Sequence, residues 1–112
     1  MGQMVLMTEY RTKPGRRTEL FELFERLLAH DRVIGQDVIV WSTSTTDRDA
    51  SFLFEYWSDA DGFADLVNAP RFVEYVSGVD QLVKTRPITT VTFPQLIEGM
   101  RVESGDDPYR RN

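Results

Sequence analysis

The chain has 112 residues, 41% of them apolar and 12% aromatic, which is enough material for one compact core and too little for two domains. Thirteen Lys and Arg stand against eighteen Asp and Glu, a formal net charge of −5 that argues against nucleic acid or a membrane surface as partner, since both demand clustered cations. Cysteine is absent, which excludes disulfides, thiolate catalysis and Cys-ligated metal, and the one histidine, His30, cannot build a multi-histidine metal site within one chain.

No apolar run approaches the roughly 18 to 20 residues of a membrane span, and Met1 to Met7 lacks the basic flank of a signal peptide, so a cytoplasmic protein is expected. Residues 4 to 11 form a short apolar run ended by the turn signal Lys13-Pro14-Gly15, which predicts a first strand. From Thr18 to Ala29 the apolar positions Leu20, Phe21, Leu23, Phe24, Leu27 and Leu28 recur at steps of three and four. Glu19, Glu22, Glu25 and Arg26 take the other side, so an amphipathic helix is expected with Thr18 as its cap. Gly35 breaks that pattern. The β-branched stretch Asp37 to Thr45 then predicts a second strand, and Thr46-Asp47-Arg48-Asp49 a turn. Ser51 to Trp57 reads as the return strand.

Ser58 followed by Asp61 has the look of a helix start, and Phe63, Leu66 and Val67 supply the apolar side of a short second helix. Pro70 fits the first position of another helical piece carrying Phe72, Val73, Tyr75, Val76, Val79, Leu82 and Val83. Ile88 to Ile97 reads as a last strand, with Pro94 confined to an edge or bulge because it cannot donate to a ladder. Residues 99–112 are polar and are expected to form a loose tail beyond a domain of residues 1–98.

The element order β-α-β-β-α-β, with the second helical region in two pieces, predicts an α+β fold of the ferredoxin-like type: a four-stranded antiparallel sheet with helices on one face. The runs Met4 to Met7, Val38 to Trp41 and Phe52 to Phe54 do not alternate as a half-wet sheet should. Both faces want cover and the chain has helices for one, so a homodimer packing sheet against sheet is expected.

Lys13-Pro14-Gly15, Phe54-Glu55-Tyr56-Trp57-Ser58-Asp59, Asn68-Ala69-Pro70-Arg71-Phe72 and the strand after Arg86-Pro87 together resemble the antibiotic biosynthesis monooxygenase family of dimeric α+β barrels, over roughly residues 4 to 98. The resemblance implies a cavity between sheet and helices and a cofactor-free monooxygenase acting on an aromatic or polyketide-like small molecule. A non-catalytic small-molecule-binding dimer and a polyketide cyclase-like protein are the alternatives it leaves. By this resemblance Trp57 faces the cavity, with Leu53 and Glu55 beside it by strand alternation.

Such an oxygenase deprotonates a phenol or enol and holds the anion near oxygen in a dry pocket. Glu55, the only acid of its strand, suits the base if apolar neighbours raise its pKa. Trp57 can orient the substrate, and Tyr75 shares a helical stripe with Phe72 and Val79 that turns its ring inward. These three are the candidate catalytic residues; Tyr10, Leu53, Phe63, Asn68 and Phe72 are the candidate substrate contacts, and Arg86 is a further polar group near the pocket. In anthrone-oxidising members an Asn and a Tyr stand where this chain has Leu53 and Phe63. In the haem-degrading branch an Asn falls at Tyr10 and the histidine ligand near Val76. No haem ligation is therefore expected; a large shift of the haem absorption band, lost in His30→Ala, would contradict this.

Overall fold

A computed structural model describes residues 2–28 and 33–98. Its elements are β1 (Met4–Arg11), α1 (Arg17–Leu28), β2 (Gln36–Thr43), β3 (Ala50–Trp57), α2 (Ala60–Val67), α3 (Pro70–Leu82) and β4 (Ile88–Thr92). The strands form one antiparallel sheet in the order β2-β3-β1-β4, the ferredoxin-like arrangement expected from the element order. None of the described helices is long and apolar enough to cross a membrane. His30 and the 99–112 tail lie outside the described residues.

Three local expectations are corrected. Thr18 is inside α1, which begins one residue earlier, so it does not cap the helix. Asp59 rather than Ser58 caps α2: its carboxylate accepts from the Asp61 amide at 2.9 Å, a stronger acceptor for a free helix-end donor than a hydroxyl. β4 stops at Thr92, two residues before Pro94, because nothing beyond that point pairs with β1. Pro70 does open α3, where its missing N–H costs nothing.

Side chains of β1 and β3 alternate between two faces. Met4, Leu6, Thr8 and Tyr10 of β1 face the helices together with Ser51, Leu53, Glu55 and Trp57 of β3, their register partners being Trp57 for Met4, Glu55 for Leu6, Leu53 for Thr8 and Ser51 for Tyr10. Leu20, Phe24 and Leu27 of α1, Leu66 of α2, and Tyr75, Val79 and Leu82 of α3 close on them to form the core. One irregularity matters for the site. Between Gln36 and Val38 the β2–β3 register shifts by a residue, a β-bulge. Regular alternation from Ile39 and Trp41 would turn Asp37 inward. The bulge turns Gln36 inward instead, opposite Trp57, and leaves Asp37 exposed.

On the other face Met7, Val38, Val40, Phe52 and Phe54 are 37–47% exposed. Met7, Phe54 and Val40 stand in one row across three strands, so the patch is continuous. No element of the described chain lies over it.

Candidate functional site

A cavity of about 440 Å³ opens between the sheet and the helices, within the ~300–1,000 Å³ of small-molecule sites. Its floor is Leu6, Thr8 and Tyr10 of β1 with Leu53 and Glu55 of β3; Gln36 closes one end. The walls are Phe24, Leu27 and Leu28 of α1, Phe63 and Leu66 of α2, and Phe72, Tyr75 and Val79 of α3. Exposed Val76 and Asp80 of α3 face Thr89 and exposed Arg86 from the β4 side, and these form the rim.

Glu55 is the one acid on this floor, and it is buried. Its Oε1 accepts from Gln36 Nε2 at 2.9 Å and from Trp57 Nε1 at 3.1 Å, while no protein hydrogen bond is made to Oε2 among the described residues. Burial raises the Glu55 pKa above the ordinary carboxylate value, and the two donated hydrogen bonds pull it back only in part. The site therefore holds an oriented carboxylate with one oxygen tethered, one available to a ligand, and a strengthened affinity for a proton.

Tyr10 and Tyr75 form the second polar feature, their hydroxyls 2.8 Å apart and buried. Burial pushes Tyr10 up to about 12 and Tyr75 further still, so both phenols keep their protons at neutral pH. One hydroxyl donates to the other, which leaves a single hydrogen that a ligand oxygen can receive. This pair is a donor, not a base. Tyr75→Phe is expected to lower stability by about 1 kcal/mol in urea unfolding, because Tyr10 retains access to the cavity and is not stranded. Thr8 and Thr89, hydroxyls 3.1 Å apart, form a third pair across β1 and β4.

Glu55, Tyr75, Tyr10, Leu53, Phe63 and Phe72 all line the cavity. Trp57 and Asn68 do not, and both placements correct expectations. Trp57 is wholly buried at the covered end of the floor under α2, edge-on to Phe63 at 5.4 Å between centroids, and its N–H is taken by Glu55. Asn68 ends α2 and turns back to donate to Ala64 O at 2.8 Å. Gln36 is the group that sequence reasoning missed: the bulge that turns it inward leaves no sign in the residue pattern. Among the described residues no cluster of three or more His, Cys, Asp or Glu is placed to hold a metal ion.

The fold and site define a ferredoxin-like α+β protein with an aromatic-walled cavity beneath its helices and a single tethered carboxylate. The chain belongs to the antibiotic biosynthesis monooxygenase family, whose model matches residues 3–78. A provisional family monooxygenase from Chloroflexus aurantiacus has a similar structure, with a TM-score of 0.74 at 18% identity, covering 88% of this chain and 98% of that one. One from Caulobacter crescentus gives 0.75 at 15%, covering 87% and 92%. A conserved protein from Methanosarcina mazei gives 0.76 at 12%, covering 85% and 95%. At such identities the likeness speaks for the fold alone. A search of curated proteins finds no match.

Proposed function

We propose that the protein is a homodimeric monooxygenase that oxidises an aromatic or polyketide-like phenol or enol with dioxygen, without a bound cofactor, and that Glu55 is its base. The observation that carries this reading is the buried carboxylate on the cavity floor, held by Gln36 and Trp57 through one oxygen only. A proton on an activated carbon or hydroxyl passes to the free oxygen of Glu55, whose raised pKa narrows the mismatch with a phenol or enol. The tyrosine pair donates its spare hydrogen to the substrate oxygen as negative charge gathers there. The substrate anion supplies the electrons to oxygen, a carbon–oxygen bond forms, and the hydroperoxide loses water. In balance, one methylene group and one dioxygen become one carbonyl group and one water. Trp57 is a positioning residue in this scheme, acting through Glu55.

Oxygen uptake with a panel of hydroxylated anthrones and naphthols is the test, with one dioxygen consumed per carbonyl formed. A second reading rests on the apolar Leu53 and Phe63 in the cavity wall: a non-catalytic binding dimer or a cyclase-like protein that guides ring closure by shape. Binding of the same compounds without oxygen consumption would select it, and ring closure without oxygen its cyclase form.

The partner copy is the proposed cover for the apolar outer face of the sheet. A charge at its centre would be buried unpaired in the dimer. Phe54→Lys is therefore expected to weaken association by roughly 100-fold or more in sedimentation equilibrium. A stable monomer of the unaltered protein at micromolar concentration would remove the dimer from the reading.

A further inference from the structure

We propose that the cavity selects ligands bearing a carboxylate or equivalent acid at the end remote from the oxidised position, and that Arg86 is the residue that reads it. This rests on the substrate class proposed above for the same cavity. Arg86 lines the rim and is exposed, and it makes no hydrogen bond or ion pair with any described residue. Arg11 pairs with Glu9 and Asp47, Arg16 with Glu19, and Arg17 donates to the carbonyls of Asp47 and Ala50; Arg26, Arg48 and Arg71 share Arg86's lack of a described partner, but among the described residues Arg86 is the one arginine that lines this cavity. A free guanidinium at the mouth of an apolar cavity is a ready bidentate partner for a carboxylate.

The sheet register sets where this cation lies relative to Glu55. Glu55 pairs with Leu6, whereas Ile88 pairs with Glu9 and Arg86 lies two residues further out. Val83 bridges to Thr12, so Arg86 falls between positions 9 and 12, at the Tyr10 end of the floor, and Glu55 is at the Leu6 end, roughly four to five residues or ~13–17 Å apart along β1. The two ends are complementary to one orientation only. An acid entering first would meet the Glu55 carboxylate, and like charges in an apolar cavity repel strongly. An acid that trails rests on Arg86 and delivers the neutral phenol or enol to Glu55. Asp80 also lines the rim, with no partner among the described residues, and opposes the cation. Its charge tempers the attraction and gives a control that acts in the opposite direction.

The test compares 6-hydroxy-2-naphthoate with its methyl ester, which differ in charge at the end away from the hydroxyl, by titration calorimetry at low ionic strength. The unaltered protein is expected to bind the acid about five- to tenfold more tightly than the ester. Arg86→Gln should bring the ratio to about one, Arg86→Lys should keep part of it, and Asp80→Asn should raise it. Equal affinities in the unaltered protein, or a preference that survives Arg86→Gln, overturns the role of Arg86 and leaves the oxygenase reading standing. Failure of both compounds to bind overturns this assignment together with the aromatic substrate class. Because the readout is binding, an inactive oxygenase that keeps the acid preference would separate the two ideas.

Discussion

Glu55→Gln is expected to lower oxygen uptake by about 10²–10⁴-fold, the usual contribution of a general base, while leaving the fold intact. The amide has the same shape, and its oxygen can still accept from Gln36 and Trp57, so loss of rate without loss of structure isolates the proton acceptor. On the proposed mechanism the unaltered protein should gain rate with rising pH as Glu55 deprotonates, with a midpoint above the ordinary carboxylate range. Stability should move the other way. A carboxyl whose pKa is raised by folding binds its proton more tightly in the folded state. The unfolded chain then holds fewer protons in the window between the ordinary and the raised value, and stability falls as pH climbs through it. Glu55→Gln removes that dependence. Its melting temperature should equal or exceed that of the unaltered protein at neutral pH, and the gap should close below the ordinary carboxylate value. A variant that is inactive and also less stable at neutral pH would point to a structural role for the carboxylate instead.

The largest loss of stability is expected from Gly62→Ala. A Cβ built on Gly62 would lie 1.9 Å from the carbonyl oxygen of Ile34, a backbone atom that cannot swing away, and 3.4 Å from the Trp57 ring. Either α2 or the segment before β2 must shift, at a cost of about 2–4 kcal/mol, near or above the top of the usual range for overpacking. Thermal unfolding should show a drop of about 10 °C or more. Since residues 34 and 35 lead directly into Gln36, the same shift should loosen its hydrogen bond to Glu55 and lower activity in the surviving folded fraction. Gly78→Ala is the comparison. There the new methyl meets the Leu23 side-chain tip at 2.6 Å, which can change rotamer, and alanine favours the helix by ~0.5–1 kcal/mol, so the net change should stay within about 1 kcal/mol.

Much of the fold is legible in the residues. β1 has the bounds expected from its apolar run and the Lys13-Pro14-Gly15 turn, and α3 begins at Pro70 as its fixed backbone angle requires. Gly35 does more than interrupt a helical pattern: it takes φ of +94°, and a Cβ there would press on the Asp59 backbone, a conformation and a closeness that favour glycine. Strand alternation also placed Leu53, Glu55 and Trp57 on one face. Alternation says nothing of depth along that face, however. Trp57 is at the floor's covered end and Glu55 beside the open space, a difference set by which helix lies above each of them.

Composition, periodicity and turn chemistry by themselves determined the element order, the antiparallel ferredoxin-like sheet and the apolar character of both its faces, while the inward position of Glu55 followed from strand alternation only once the family resemblance had turned Trp57 to the cavity side. These are local properties, fixed by side-chain spacing within a few residues. Only the tertiary structure decided that Trp57 serves Glu55 rather than the cavity, that Gln36 is its second donor, that Asn68 closes a helix, and that Arg86 stands at the rim without a partner among the described residues. Most of these depend on how separate elements pack over one another, and in the case of Gln36 on a one-residue bulge that reverses which side chains face the site.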